Sequence, residues 1–214
     1  MSARVLLATR SAGKLLELRE IFSDFGLDVI DLATLGVPET PEEDDLEQFE
    51  TFEENALAKV RYFYDLSGGM PTFADDSGMC VDALGGEPGV YSKRWSGRHD
   101  LERLELDAAN NAKLVSRMRT AKSEQGADFT DTARYVAVAA FKDANGEMTR
   151  RGEIEGRVLE SPRGSAGFGY DPYFEAPDLG STFAESSIKN TAARSHRARA
   201  FRALLGALRA EGGI

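Results

Sequence analysis

Apolar positions along this chain follow two periods, and each switch between them marks an element boundary. The mostly apolar run Val5–Thr9 predicts a buried strand. Leu15, Leu18, Phe22 and Phe25 then recur at three- and four-residue spacing, which predicts a helix, with Gly26 as its C′ residue. Leu27–Leu32 predicts the next strand, so the chain opens strand–helix–strand, the pattern of an α/β fold. Residues 38–50 are Pro- and acid-rich and predict a loop. Phe52, Ala56, Val60 and Phe63 form one face of a second helix, with Thr51 as N-cap. Thr72–Ala74 predicts a short strand entering Asp75-Asp76-Ser77-Gly78.

Gly85-Gly86-Glu87-Pro88-Gly89 carries turn chemistry, and residues 100–120 read as a polar helix. Arg134–Phe141 is β-rich, Asp143-Ala144-Asn145-Gly146 is a hairpin turn, and Arg151–Leu159 returns as an antiparallel strand. Ser161–Asp171 is a Gly-rich loop, and a last helix buries Phe201, Leu204, Leu205 and Leu208.

Composition narrows the function classes. A chain of 214 residues is ample for a real core, and 42% hydrophobic with 29% charged residues is ordinary for a globular protein. A net charge of −10 argues against coating a nucleic-acid polymer, which needs a basic surface. A small phosphorylated ligand needs only a local cluster of cations. The single cysteine, Cys80, excludes an internal disulfide and a multi-cysteine zinc site. The apolar stretch Val5–Ala8 is too short for a signal-peptide core, and no run reaches the roughly 18 apolar residues of a membrane helix. The expectation is a cytoplasmic protein with no membrane partner.

Six places could carry chemistry. Asp75 and Asp76 are adjacent carboxylates that a divalent cation such as Mg²⁺ would reconcile; a plain acidic turn is the alternative. Nine acids lie between Pro38 and Glu54 with no Lys or Arg among them, and one of these could be a further metal ligand. Lys14 follows Gly13 at a helix start and could bind an anion, although the surroundings are not a P-loop, since Ala8 and Leu15 replace its Gly and Ser/Thr. Asn55 and Lys59 share one helix face. The loop Gly164–Pro172 sets glycines beside Phe168, Tyr170 and Asp171, where an aromatic could stack on a base or fill the core. Ser195-His196-Arg197 heads a locally basic segment, and arginine suits bidentate phosphate contacts.

Taken in order, LATRSAGK (Leu7–Lys14), TFEENALAK (Thr51–Lys59), FADDSG (Phe73–Gly78), VDALGGEPGVYSKRW (Val81–Trp95), GFGYDPYF (Gly167–Phe174) and SHRARA (Ser195–Ala200) resemble one family. It is the noncanonical purine nucleoside triphosphate pyrophosphatases, also called inosine triphosphatases or XTP/dITP diphosphatases. The resemblance implies a Mg²⁺-dependent hydrolase that splits ITP, XTP and dITP into the monophosphate and pyrophosphate. It also implies one α/β domain over residues 1–214, in which a long, twisted mixed sheet with flanking helices makes two lobes and a central cleft, and a homodimer. By position, Asp76 would be the general base and a metal ligand, with Asp75 beside it and Glu47 as the other metal-binding carboxylate. Thr9, Arg10, Ser11, Ala12, Gly13 and Lys14 would hold phosphates with help from Lys59, with Asn55 and Ser77 also contacting substrate. Phe168, Gly169, Tyr170, Asp171, Thr191, His196 and Arg197 would form the base pocket.

Two positions depart from the family pattern. Ser11 stands where Asn is usual, and Thr191 where a lysine is usual; Lys189 is the nearest substitute. The alternatives are therefore the same reaction with altered base preference, or a nucleotide-binding regulatory module without turnover.

Overall fold

The structure is a computed structural model that describes residues 4–98, 100–185 and 195–213. The described strands are β1 (Arg4–Leu7), β2 (Asp28–Asp31), β3 (Thr72–Val81), β4 (Thr132–Lys142), β5 (Glu147–Val158), β6 (Phe174–Ala176) and β7 (Ser181–Thr182). They form a seven-stranded sheet in the order β2-β1-β3-β4-β5-β6-β7. β1 runs parallel to β2 and β3, whereas β6 runs antiparallel to β5 and β7, so the sheet is mixed, as expected of the α/β class. The described helices are α1 (Ala12–Asp24), α2 (Leu32–Leu35), α3 (Phe52–Leu66), α4 (Arg103–Gln125) and α5 (His196–Ala210).

The described residues fall into two compact units. The first draws on Met1–Asp76, Ala137–Glu153 and Ala192–Ile214. The second draws on Ser77–Val136 and Ile154–Thr191.

In the first unit the local signals hold. Ser11 caps α1, and Gly26 follows its end at φ +73°. Thr51 caps α3: the Glu54 amide donates to the Thr51 hydroxyl (3.2 Å), which in turn donates to the Glu54 carboxylate (2.7 Å). The core joins Leu18 and Phe22 of α1 to Phe73, Phe141 and the apolar side of α5. Phe22 meets Phe73 edge-on with ring centroids 4.8 Å apart. Gly152 of β5 lets α5 approach closely, because a Cβ there would sit 2.3 Å from the His196 carbonyl oxygen. The second unit has its own core, in which Leu114 and Met118 of α4 pack with Trp95, Tyr135, Ile154, Tyr170 and Phe174.

Several boundaries differ from the sequence expectation. β3 does not stop at Ala74 but continues through Asp75-Asp76-Ser77-Gly78 to Val81. The region expected to be loop contains a 3₁₀ helix, Pro41–Glu47. Leu32 leaves β2 to begin α2, because the Asp31 carboxylate caps the Thr34 amide at 2.7 Å. α4 begins and ends later than expected and reaches Gln125. β5 starts at Glu147, since Asp143 and Gly146 close the hairpin turn by a 3.0 Å hydrogen bond.

Candidate active site

The extended β3 decides how its two carboxylates are used. Side chains alternate across a strand, so adjacent Asp75 and Asp76 leave on opposite faces. Both are buried, at 3% and 6% exposure. Asp75 Oδ2 accepts from Lys14 Nζ of α1 (2.8 Å) and from Arg197 Nε of α5 (3.2 Å). Asp76 meets α3 instead: its Oδ1 accepts from Lys59 Nζ (2.8 Å) and its Oδ2 from Asn55 Nδ2 (2.9 Å). Lys59 also pairs with Glu47 at 2.7 Å and donates to the Asp75 carbonyl at 3.2 Å. The acidic-turn alternative is therefore overturned. Two neighbouring carboxylates are accommodated inside a strand because helices on each side supply their own cations.

Charge states follow from this arrangement. Burial opposes ionisation of Asp75, but Lys14 and Arg197, with Lys59 behind them, overcome it and hold its carboxyl below the usual carboxylate range. Lys14 is pulled below the ordinary lysine value, first by burial and then by Arg197 and Lys59, against the attraction of Asp75. Burial also disfavours the Lys59 ammonium, yet Asp76 and Glu47 raise it above the usual range. The Arg197 guanidinium stays charged in spite of burial, through Glu17 and Asp75. Burial and the neighbouring Arg197 push His196 well below 6.5, so its imidazole is neutral at pH 7.

Around the start of α1 the expected phosphate residues lie together. Ser11 is the N-cap, Ala12 and Gly13 open the helix, and the Thr9 hydroxyl accepts from the Ser11 amide at 3.2 Å. A helix N-terminus backed by a partly buried lysine favours an anion. Arg10 spends its side chain differently. Its guanidinium holds Glu43 by two hydrogen bonds (3.0 and 2.5 Å) and donates to the carbonyls of Val37 and Pro38.

Glu17 was not foreseen. It is buried on α1 beside core residue Leu18, and it accepts from Arg197 Nη1 at 2.6 Å and from the Ser195 hydroxyl. Its signal in the sequence was an acid on the apolar stripe of a helix. Ser195 also caps α5 through the Ala198 amide at 3.0 Å.

In the second unit the glycine loop is tied down residue by residue. The Phe168 amide donates to Asp171 Oδ2 (2.8 Å), and the Tyr135 hydroxyl donates to Asp171 Oδ1 (3.1 Å). Asp107 accepts from the Gly169 amide at 3.0 Å, and Asn111, one turn along α4, donates to the Gly169 carbonyl at 2.9 Å. The Tyr170 hydroxyl donates to the Ser92 carbonyl at 2.9 Å, and its ring is buried. Phe168 is the aromatic left outward, with the Arg103 guanidinium 5.4 Å from its ring centre. Of the two open uses for these aromatics, Tyr170 takes the core and Phe168 remains available. Ser77 lies half-buried in β3, and Thr191 and Lys189 lie outside the described residues.

Among the described residues, no three His, Cys, Asp or Glu side chains cluster as a metal cage. Glu47 and Asp76 nevertheless converge on one ammonium, Lys59, and offer hard oxygen donors. Two carboxylates with phosphate oxygens and water completing the shell suit Mg²⁺, which seldom takes an all-protein cage.

Comparison with known proteins gives one family. The Ham1 family model matches residues 5–207. A dITP/XTP pyrophosphatase of Thermus thermophilus is 44% identical over 204 residues, covering 94% of this chain and 90% of that one. A dITP/XTP pyrophosphatase of Ralstonia nicotianae is 42% identical over 206 residues, covering 96% of both. The solved HAM1 protein of Coxiella burnetii superposes with a TM-score of 0.80 at 32% identity, covering 96% of this chain and 98% of that one. With its fold, its paired carboxylates and these relatives in agreement, the chain belongs to the Ham1 family.

Proposed function

We propose that this protein hydrolyses noncanonical purine nucleoside triphosphates (ITP, XTP and dITP) to the nucleoside monophosphate and pyrophosphate. The observation that carries the reading is the pair of oppositely directed carboxylate–cation systems on β3, one facing the N-terminal end of α1 and the other facing α3. Curated relatives named for this activity match nearly the full chain and support it.

The two systems divide the work. On the α1 side, Lys14, Thr9, the N-cap Ser11 and the helix start at Ala12 and Gly13 bind the polyphosphate, with only the backbone of Arg10 beside them. Lys14 is charged at a cost in the apoprotein, so an arriving phosphate repairs an existing deficit. On the α3 side, Asp76 accepts the proton of the attacking water, which adds to the α-phosphorus as the bond to pyrophosphate breaks. Asn55 and Lys59 fix both of its oxygens, so the base does not rotate away from the water. Glu47 and Asp76 would hold Mg²⁺, which supplies charge neutralisation at the phosphate oxygens. Arg197 and neutral His196, with Phe168, Gly169, Tyr170, Asp171, Thr191 and Ser77, are assigned to the nucleoside. Donors from His196 and Arg197 would pair with the 6-keto group and leave the 6-amino group of adenine badly paired. Thr191 in place of lysine favours a shifted preference among the 6-keto purines as the second reading.

We further read the protein as a cytoplasmic homodimer that acts on free nucleotides rather than on nucleic acid or membranes. Among the described residues, no helix is long and apolar enough to cross a membrane.

The test is product analysis with ITP, XTP, dITP, GTP and ATP in the presence of Mg²⁺. Monophosphate with pyrophosphate from the first three, and little from ATP, is expected. Diphosphate with inorganic phosphate, or binding with no turnover of any of them, overturns the proposal.

A further inference from the structure

The 3₁₀ helix Pro41–Glu47 carries Glu47 yet buries none of its residues and has no side-chain cap. Five of its seven residues are acidic, so mutual repulsion works against its form. Its one apolar side chain besides Pro41, Leu46, is only partly buried, so hydrophobic burial does little to hold Glu47 in place. The holding contacts are polar and come from other elements. Lys59 takes Glu47 itself, Asn55 Oδ1 accepts from the Phe49 amide (3.0 Å), and Arg10 takes the other end.

The Arg10 contact is the most extensive. Its Nε and Nη2 bind Glu43 in the bidentate geometry that only arginine offers a carboxylate. Its Nη1 and Nη2 also donate to Val37 O (2.9 Å) and Pro38 O (2.8 Å), the two residues that lead into the segment. The guanidinium lies 5.9 Å from the ring centre of Phe63 on α3. Four hydrogen bonds from one side chain therefore tie the β1–α1 loop to the acidic segment.

We propose that Arg10 is a positioning residue, which acts through Glu43 to hold the Pro41–Glu47 helix so that Glu47 is presented beside Asp76. This rests on the reading of Glu47 as a Mg²⁺ ligand, and it reassigns the Arg10 side chain from binding phosphate to ordering the metal-side carboxylate. Arg10 immediately precedes the N-cap of α1, so the same short loop sets both the phosphate end and the metal end of the site.

The test compares R10A, E43A and the double variant by two measurements. The first is amide hydrogen exchange in the apoprotein, read separately for residues 37–49 and for α3. The second is the Mg²⁺ concentration giving half-maximal ITP hydrolysis, beside the KM for ITP at saturating Mg²⁺. Either single change should speed exchange at 41–49 and raise the Mg²⁺ requirement by about tenfold, the scale of one charge-assisted pair. The double variant should be no worse than either single one, because both break the same contact. Unchanged exchange at 41–49 with a raised KM for ITP at every Mg²⁺ concentration would instead make Arg10 a phosphate ligand and overturn the proposal. Additive effects in the double variant would also overturn it. The exchange arm needs no turnover. If the wild type hydrolyses nothing while R10A loosens 41–49, the enzymatic reading fails and the latch stands.

Discussion

Asp75 and Asp76 are neighbours with the same side chain, and the structure predicts opposite consequences for the same substitution. In Asp75→Asn, Lys14 loses the carboxylate at 2.8 Å, and Arg197 loses one of its two, keeping Glu17 at 2.6 Å. Breaking a buried pair by removing one partner costs about 3–5 kcal/mol, because a charge is left uncompensated. Glu17 still serves Arg197, and Lys14 can shed its proton, so the lower end applies, about 3 kcal/mol. For a chain of this size each kcal/mol moves the Tm by roughly 2–4 °C, giving a fall of roughly 6–12 °C. In Asp76→Asn, Lys59 keeps Glu47 at 2.7 Å and the amide can still meet Asn55, so the Tm should drop by less than half as much. Turnover should vanish in Asp76→Asn, because an amide cannot take a proton from water. Circular-dichroism melts at pH 7.5, paired with ITP hydrolysis below each melting range, separate the two. An Asp75→Asn protein that melts within about 2 °C of wild type would refute the account of the pairs. So would an Asp76→Asn protein with near-normal turnover.

Three further outcomes are expected. Because Lys14 sits below its ordinary value in the free protein, a bound polyphosphate should raise it and draw a proton from solution at alkaline pH; calorimetry of ITP binding to Asp76→Asn in buffers of different ionisation enthalpy, run over a series of alkaline pH values up to the ordinary lysine range, would show uptake, and none anywhere in that series would contradict the assignment. Asp75 lies below its unfolded value, so its stabilisation is present above about pH 3.9 and is lost as pH falls toward its folded pKa; acid unfolding of Asp75→Asn, followed by fluorescence, should be correspondingly less steep below pH 4. Gly167→Ala places a Cβ 2.2 Å from Asp171 Oδ2 at a φ of +77°, so the loop presenting Phe168 should distort; the ITP-to-ATP ratio of kcat/KM should fall, with only about 1–3 kcal/mol lost in stability.

Much of the framework was legible because its signals are local. Ser11, Thr51 and Gly26 mark helix ends, and the Asp143–Gly146 turn marks the hairpin, whatever the rest of the chain does. Asp and Gly disfavour strands, so the local sequence ends β3 at Ala74, but the preference of the two aspartates yields once their charges are compensated. The compensating groups are 61, 122 and 17 residues away, in Lys14, Arg197 and Lys59, and no local window contains them. Glu17 was missed for a related reason. An acid on a helix stripe looks like surface until its buried arginine is known, and Arg197 comes 180 residues later.

Four of the nine acids between Pro38 and Glu54 meet partners that fix the stretch. Glu43 belongs to Arg10, Glu47 to Lys59, Glu53 to Arg151, and Glu54 closes the cap of α3. The stretch holds no Lys or Arg of its own, so its counter-charges come from the loop before α1, from α3 and from β5. That dependence has a physical reason. A carboxylate on a 3₁₀ helix that buries none of its residues has no apolar packing to anchor it, and Glu47 there keeps access to the water that a hydrated divalent cation retains. Directional ion pairs from better-packed elements fix its position without drying it. Buried Lys59 and Arg197, with partly buried Lys14, do the opposite task on β3, where low exposure strengthens each pair and lets two adjacent carboxylates sit in one strand. The site thus combines a buried, strand-borne half with a half-exposed, latched half, and Lys59 is the residue that touches both.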